Sequence, residues 1–309
     1  MELFNLLESF VAESKNNKFS TIEAVKHLSK ELKSLNNDKF CRLLELSGYL
    51  PDLYPHDSSE ETLYSKFVEL LVCEWAQRIG FDESFLPTTK SGTEDIAIMD
   101  KNYVIVADAK SFRLSRSQAA PNPKDVIKVD DYKNWIKKYD DKVKLGGLNT
   151  FPQLHEWKKS SKVHMDLTNK HNKIVWFYYG HLSAILKFKI DKSKIINFYK
   201  SYDEMFPQQI ATKDNPKNQY LVKLQNYIFD DHLSEYEEYM NSLHKVNAYI
   251  KAMALEKIDK KINEVEKNVY ESISSFEDID KLKKYIIDKQ KDDSTKEFYR
   301  LKENVEKFR

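Results

Sequence analysis

The chain has 309 residues, and its 50 Lys and Arg nearly balance its 49 Asp and Glu, which leaves a formal net charge of +1. Its 17 Phe, 18 Tyr and 4 Trp supply enough core material to exclude a wholly disordered chain. The near-neutral charge carries no global basic signature of nucleic-acid binding. Two cysteines, Cys41 and Cys73, exclude a disulfide framework and favour a reducing compartment.

The N-terminal part of the chain is predicted to be helical over residues 3–47, with Thr21 as the cap at the start of one helix. Prolines after residue 50 then break the chain. A further helix is expected to begin after Ser59, which would cap it, with Glu61 among the carboxylates of its first turn. This helix is expected to end near Gly80.

The centre of the chain differs from both ends. Residues 93–110 and 173–180 have β-branched and aromatic residues in short runs, which predicts strands. The 93 residues after Pro216 contain neither Gly nor Pro and are therefore predicted to be helical. Helices on both sides of a strand-rich centre indicate one α/β domain with a helical C-terminal extension.

The C-terminal helices carry apolar residues at three- and four-residue spacing, namely Ile258, Ile262, Val265, Val269, Ile273 and Phe276. Because the run is under three heptads, it favours packing within the fold over a coiled-coil seam, and a dimer contact is the alternative. We expect residues 1–216 to form a domain with the N-terminal helices and the central strands. Residues 217–309 would then form a helical region packed on the same domain.

The most informative segment, residues 93–110, reads as a strand, a tight turn and a second strand. A two-residue loop between Asp100 and Tyr103 would make the numbers of every opposed pair of residues sum to 203. Asp95 then falls directly opposite Asp108, with Cβ atoms about 5 Å apart. The hairpin is therefore expected to bring two carboxylates together.

Lys110 follows Asp108 by two residues and shares its face of the strand. Like charges that face each other in a sheet are unfavourable, and a divalent cation would offset the repulsion of Asp95 and Asp108. Their hard oxygens suit Mg²⁺, and the neighbouring ammonium would orient a water, as phosphodiester hydrolysis requires. The alternative is an exposed hairpin with a surface salt bridge between Asp108 and Lys110.

The run that continues from this strand, ADAKSFRLSR at residues 107–116, closely resembles the HindIII-type type II restriction endonucleases of the PD-(D/E)xK nuclease superfamily. Two further pieces are similar to that family: Ser58-Ser59 followed by ETLYSK at residues 61–66, and HLSAIL at residues 181–186. The resemblance covers about residues 45–190. In one respect the chain departs from the superfamily name, because Glu94 and not a proline precedes Asp95.

The resemblance implies a restriction-endonuclease-like core with a central mixed sheet flanked by helices. It implies a Mg²⁺-dependent homodimer that cuts the palindrome AAGCTT in double-stranded DNA and leaves 5′-phosphates. Asp95, Asp108 and Lys110 carry over as catalytic residues, with Asp95, Asp108 and the Ala109 carbonyl as metal ligands. Glu61 is the candidate for a further acid near the metal, and the alternative for it is a first-turn carboxylate that favours the helix dipole.

Recognition of bases is expected from Asn122, Lys124 and Asp125, which look like the N-x-K-D segment of the family. An amide reads adenine, Lys donates to guanine, and a carboxylate accepts from cytosine N4. The alternative is a polar, proline-rich loop. Arg113 and Arg116 are expected to contact phosphates, as are Lys128, Lys133, Lys137 and Lys138, with a solvated charged face as the alternative for each.

The balanced net charge is an average over unlike regions. Residues 1–62 hold 7 Lys and Arg against 11 Asp and Glu, a net −4, whereas residues 110–173 hold 15 against 7, a net +8. The basic charge therefore follows the proposed catalytic strand, where a phosphate backbone would lie.

Three other functions remain open from the sequence. They are a same-fold repair or phage nuclease, a non-catalytic sequence-specific DNA-binding protein, and a helical interaction protein built on residues 217–309. The chain shows no basic start followed by an apolar run, so no export or membrane segment is expected. A cytoplasmic protein is expected, with a DNA methyltransferase as a functional and not a physical partner.

Overall fold

The computed structural model describes residues 3–87, 94–116, 128–152, 173–206, 218–274 and 280–308. A short 3₁₀ helix at Leu3–Asn5 precedes α1 (Leu6–Asn16), α2 (Thr21–Ser34), α3 (Asn37–Leu46) and α4 (Ser59–Arg78). The predicted helical N-terminus is confirmed, but two caps lie one residue earlier than expected. Ser20 caps α2 and Ser58 caps α4, because each has the extended backbone that a cap requires.

The strands of the described residues are β1 (Tyr49–Leu50), β2 (Glu83–Phe85), β3 (Ile96–Met99), β4 (Tyr103–Ala109), β5 (Phe112–Arg113), β6 (Val143–Phe151) and β7 (Ile174–Tyr178). The main sheet has the order β2-β3-β4-β6-β7, and β1 pairs separately with β5. The pairs β2–β3 and β3–β4 are antiparallel, whereas β4–β6 and β6–β7 are parallel. This is the mixed sheet that the family resemblance implies.

The β3–β4 hairpin has the register that the sequence predicts. Ile96 lies opposite Ala107 and Met99 opposite Val104, so the residue numbers in each pair sum to 203. Asp100 N–H donates to the carbonyl of Tyr103 at 2.9 Å and closes the two-residue loop. The apolar residues 96–98 of β3 and 104–107 of β4 are buried, so both strands of the hairpin pack into the core.

Strand β6 is absent from the sequence prediction, because two adjacent glycines, Gly146 and Gly147, interrupt its pattern. A Cβ atom on Gly147 would lie 2.3 Å from the ring of Tyr132, which packs directly on the strand backbone. The absence of a side chain at this position thus permits a helix to approach the sheet closely. This helix is α5 (Val129–Ile136), which contacts β4 and β6.

The remaining helices are α6 (Tyr179–Lys187), α7 (Lys192–Lys200), α8 (Tyr202–Met205), α9 (Asn218–Ile228), α10 (Leu233–Ser274) and α11 (Asp280–Glu306), with a 3₁₀ turn at Asp230–His232 before α10. The sheet is flanked by α4, α5 and α7, and the indole N–H of Trp75 on α4 donates to the Leu182 carbonyl of α6 at 2.9 Å. The expected α/β class with a helical C-terminal region is confirmed.

Helices α10 and α11 form a hairpin, and the predicted seam residues Ile258 and Ile262 are buried. The hydroxyl of Tyr239 on α10 donates to Glu45 at 2.5 Å, which joins the hairpin to α3. Near the end of α11, the Asn304 amide donates to the Ser115 carbonyl at 2.8 Å. Both contacts tie α10 and α11 to the part of the chain that carries the sheet. Among the helices of the described ranges, none combines the length and apolarity that a membrane span requires.

Candidate active site at the end of the β3–β4 hairpin

Two carboxylates meet where the β3–β4 ladder ends. Asp108 is the sixth residue of β4 and is buried, while Asp95 directly precedes β3 in the position opposite it. Burial raises the pKa of Asp95 to about 8, and the charge of Asp108, that of Glu69 and the hydrogen bond to Asp108 add to the effect. The two acids therefore lie in contact and oppose each other's ionisation.

Lys110 completes the hairpin cluster. Its Nζ lies 2.5 Å from Asp108 Oδ2, and its side chain is only 24% exposed, so the exposed surface salt bridge is not what the structure shows. The backbone of Lys110 is held on both sides, because its N–H donates to the Thr150 carbonyl and its own carbonyl accepts from the Tyr179 hydroxyl, both at 2.9 Å. These bonds fix the backbone of Lys110, and its ion pair places the ammonium beside Asp108.

Helix α4 brings a third carboxylate that sequence reasoning missed. Glu69 is buried and forms an ion pair at 2.6 Å with Lys66, one helical turn earlier. Burial raises the pKa of Glu69 to about 7, the charge of Asp108 adds to the rise, and the charges of Lys66 and Lys110 oppose it. Glu69 and Lys66 are therefore electrostatic neighbours of the hairpin cluster.

The carboxylate predicted for this role, Glu61, lies elsewhere. Its Oε2 accepts from Arg113 Nη2 and from the backbone N–H of Asp57, both at 2.9 Å. Glu61 and Glu69 are eight residues apart on α4, which is about 12 Å along the helix axis. The structure does not bring Glu61 together with Asp95 and Asp108, because its carboxylate binds the backbone before the start of α4 and the buried Arg113.

Arg113, a predicted phosphate contact, is a buried structural residue. It is 8% exposed, and its guanidinium donates to the carbonyls of Pro51, Asp52 and Tyr54 at 2.8–3.2 Å in addition to Glu61. These bonds occupy donors of Arg113 inside the fold, so the structure places its guanidinium in the interior and not on the exposed surface expected of a phosphate contact. The expectation rested on helical spacing, whereas Arg113 ends a strand.

The second predicted phosphate contact on this segment, Arg116, is half-buried. Its guanidinium lies 5.6 Å from the ring centroid of Phe112 and 4.9 Å from that of Phe308, and it donates to the Arg113 carbonyl at 3.0 Å. The predicted base-reading residues Asn122, Lys124 and Asp125 lie outside the described residues.

Strand β6 supplies a polar neighbour on the parallel side of Asp108. Asn149 is paired with Asp108 in the ladder, is fully buried, and its amide donates to the Tyr132 hydroxyl at 2.7 Å. Burial raises the pKa of Tyr132, and the charges of Asp108 and Asp95 add to the rise. Helix α5, which carries Tyr132, thus lies beside the acidic cluster.

The donor set fits magnesium as a two-carboxylate site. Within the described ranges, no three His, Cys, Asp or Glu side chains converge closely enough to hold a metal by themselves. Magnesium usually takes one or two protein carboxylates and completes its shell with water and phosphate oxygens. Asp95 and Asp108 meet this requirement, and a cation would offset both causes that raise the pKa of Asp95, namely burial and the charges of Asp108 and Glu69.

Comparison with known proteins identifies the family of the chain. A family model described as HindIII restriction endonuclease matches residues 5–290. The chain belongs to the HindIII restriction endonuclease family. It is 24% identical over 299 residues to the type II restriction enzyme HindIII of Haemophilus influenzae, and the alignment covers 89% of this chain and 94% of that enzyme.

A solved structure is also similar, that of the small subunit of the heterodimeric restriction endonuclease R.BspD6I. It covers 54% of this chain and 90% of that subunit, with a TM-score of 0.36 and 8% identity. Membership in the HindIII family makes this chain a type II site-specific deoxyribonuclease. The family match also extends beyond residues 45–190, which carry the motifs, into the C-terminal helices.

The sequence contains a signal for Glu69 and Lys66, the two residues that sequence reasoning missed. Glu69 interrupts the apolar stretch from Phe67 to Val72, which reads FVELLV. A carboxylate within such a run is rarely buried without a reason. Lys66, three residues earlier, offers it a partner on the same helix face.

Proposed function

We propose that this member of the HindIII family is a Mg²⁺-dependent, homodimeric restriction endonuclease that cuts double-stranded DNA at AAGCTT and leaves 5′-phosphates. The observation that carries the catalytic part of the proposal is the register of the hairpin. It joins Asp95 and Asp108 at the ladder end, with Lys110 at 2.5 Å from Asp108. The family match supports the DNA substrate.

Asp95, Asp108 and the Ala109 carbonyl would hold the magnesium ion. When bound, the ion neutralises charge on the scissile phosphate and lowers the pKa of a water. Lys110 orients the attacking water for in-line displacement and stabilises negative charge on phosphorus, since its ammonium is fixed beside the carboxylates. The ion pair with buried Asp108 keeps that ammonium in place.

Glu69 and Lys66 take the part first expected of Glu61. Their ion pair lies within electrostatic reach of Asp95, Asp108 and Lys110, as the pKa shifts of Glu69 and Lys66 indicate. For Lys66, burial favours a lower pKa, but the charges of Glu69, Asp95 and Asp108 outweigh it and raise the pKa. We infer that Lys66 remains charged and limits the repulsion among the acids.

Base recognition is assigned to Asn122, Lys124 and Asp125, which suit an A-A-G half-site and its complement. Phosphate contacts are assigned to Arg116, Lys128, Lys133, Lys137 and Lys138, which fall within the basic part of the chain. Two copies related by a two-fold axis match the symmetry of a palindrome and place one hairpin on each strand.

In the cell, such an enzyme requires a DNA methyltransferase that protects the host sites, and we propose one as a functional partner. We place both in the cytoplasm, where the DNA is found. The two cysteines among the described residues, Cys41 and Cys73, are free and buried, as suits a reducing compartment.

Incubation of plasmid and phage DNA with the protein and Mg²⁺, followed by sequencing of the cut ends, tests the proposal. We expect discrete fragments whose ends reconstruct AAGCTT and carry 5′-phosphates. Discrete fragments with another end sequence would retain the nuclease and reject the specificity. A continuous ladder of fragments would favour a repair or phage nuclease, and specific binding with no cleavage would favour a non-catalytic DNA-binding protein.

A further inference from the structure

Glu94 is a buried carboxylate that the catalytic proposal leaves without a role. It is 4% exposed and directly precedes Asp95 in the chain. The β3–β4 ladder begins only one residue after Asp95, with the pair Ile96–Ala107. The backbone at Asp95 therefore lies beyond the last ladder pair, and the side chain of Glu94 is next to it.

Two residues in the turn after α5 hold this carboxylate. The Tyr139 hydroxyl donates a hydrogen bond to Glu94 Oε1, and Lys138 Nζ lies 3.7 Å from Glu94 Oε2. Burial and the interaction with Glu94 raise the pKa of Tyr139, so its hydroxyl keeps the proton that it donates. A buried carboxylate costs free energy unless it is paired and hydrogen-bonded. Here Oε1 is hydrogen-bonded, and Oε2 has the Lys138 ammonium as its charged neighbour.

The turn that carries these two residues is itself fixed to the hairpin. Val143 N–H, at the end of the turn, donates to the Asn102 carbonyl at 2.8 Å, and Lys142 Nζ donates to the Lys101 carbonyl at 2.9 Å. The turn is therefore attached to the loop of the hairpin by one end and to Glu94 by Tyr139. Tyr139 is therefore partly buried and tied to the hairpin through its turn as well as through Glu94.

We propose that Glu94 is a positioning residue, which Tyr139 and Lys138 anchor so that the adjacent Asp95 is held opposite Asp108. The proposal rests on the proposed catalytic use of Asp95 and deepens it. Glu94 itself does not touch the substrate or the metal ion. The anchored Glu94 restricts the backbone of Asp95. Without its contacts to Tyr139 and Lys138, Glu94 would not restrict it.

The test combines three single variants, one double variant and a matched control. Glu94→Ala removes the anchored group, Tyr139→Phe removes only the donating hydroxyl, and Glu94→Gln keeps an oxygen that accepts from Tyr139. The control is Glu74→Gln, since Glu74 is also a buried acid of the fold, paired with Arg78 at 2.8 Å and placed outside the proposed cluster. Thermal unfolding verifies the fold of each variant.

Two measurements are made on every variant, namely calorimetric titration of the protein with Ca²⁺ and single-turnover cleavage of plasmid DNA in Mg²⁺. For Glu94→Ala and Tyr139→Phe, we expect about tenfold weaker Ca²⁺ binding and about tenfold slower cleavage, the usual scale for a lost support of a ligand. Glu94→Gln should recover most of both, and the double variant of Glu94→Ala and Tyr139→Phe should be no worse than Glu94→Ala alone.

Unchanged Ca²⁺ affinity in a folded Glu94→Ala or Tyr139→Phe would overturn the proposal, as would an equal loss in Glu74→Gln. If Glu94→Ala does not fold, Tyr139→Phe decides, because it removes a single oxygen atom. A wild-type protein that binds Ca²⁺ but never cleaves DNA would reject the proposed function. The Ca²⁺ titration would still test the positioning role of Glu94 in that case.

Discussion

At Asp95, the stability of the fold conflicts with the proposed catalytic role. The fold is more stable when this carboxyl is neutral, whereas a metal ligand must be charged. The Asp95 pKa of about 8 in the folded protein exceeds the value of about 3.9 of an unfolded chain, because burial and two neighbouring acids oppose its charge. The unfolded chain therefore releases this proton at a lower pH, and the stability falls as pH rises from about 4 to about 8. Replacement of the Asp95 carboxyl by a group that does not ionise should remove this loss of stability at high pH.

Asp95→Asn is thus expected to melt higher than the wild type at pH 8 in EDTA, by several degrees, and to differ much less at pH 5. Added Mg²⁺ should raise the melting temperature of the wild type and leave the variant nearly unchanged. Asp130→Asn, at a 94% exposed side chain, is the control and should match the wild type throughout. A lower melting temperature of Asp95→Asn than of the wild type at pH 8 would show that ionised Asp95 does not destabilise the folded protein.

The site residues separate into those that local geometry predicts and those that it does not. Asp95, Asp108 and Lys110 follow from a loop length and the period of a strand, which are local properties. Glu61 and Glu69 are both on one helix, and only the packing of α4 against the sheet determines which of them meets the hairpin. Arg113 is similar, since its partners are carbonyls about sixty positions earlier in the chain.

Among the elements, the short parallel pair of β1 and β5 supports the chain beyond Lys110. Gly48, just before β1, has φ +89° and accepts from Phe112 N–H at 2.8 Å, and a Cβ there would lie 2.4 Å from the Tyr179 ring. Tyr179 in turn donates to the Lys110 carbonyl. A side chain at Gly48 would therefore displace the Tyr179 ring, whose hydroxyl binds the chain just after β4, the strand that carries Asp108.

Gly48→Ala should be destabilised by about 2–4 kcal/mol, the sum of backbone strain and overpacking, and should lose most of its cleavage rate. Gly80→Ala is the matched control, because φ is +98° there but the nearest foreign atom, Lys192 Cδ, lies 3.9 Å from the added Cβ. It should lose only about 1–2 kcal/mol from strain. Urea unfolding measures both, and equal losses would show that Tyr179 does not restrain this position.

The elements also show where sequence patterns fail. The hairpin was predictable in register, and the helices of both ends were predictable from the distribution of Gly and Pro. Strand β6 was not, because the residues that let α5 approach it are the same glycines that weaken its strand pattern. Its place beside β4 depends on a parallel pairing about forty residues away, which no local pattern reports.

For the whole molecule, the distribution of charge matters more than its sum. Residues 110–173 hold a net charge of +8 in a chain of +1, so DNA binding should weaken steeply with salt. Lys133→Gln, at a half-exposed lysine of α5, should reduce the slope of log affinity against log salt by about 1. Lys260→Gln, at a 73% exposed lysine of α10, should leave the slope unchanged. Equal slopes in both variants, measured by fluorescence anisotropy, would remove α5 from the phosphate-binding surface.

Asp108, opposite Asp95 at the end of one hairpin, is expected to be essential for cleavage and not for recognition. The direct measurement compares Asp108→Ala with the wild type in two assays, plasmid cleavage in Mg²⁺ and binding of an AAGCTT duplex in Ca²⁺. We predict that the variant loses cleavage by a factor of at least about 10³ and still prefers the AAGCTT duplex to a scrambled one. Cleavage by Asp108→Ala at close to the wild-type rate would show that Asp108 is not a catalytic residue.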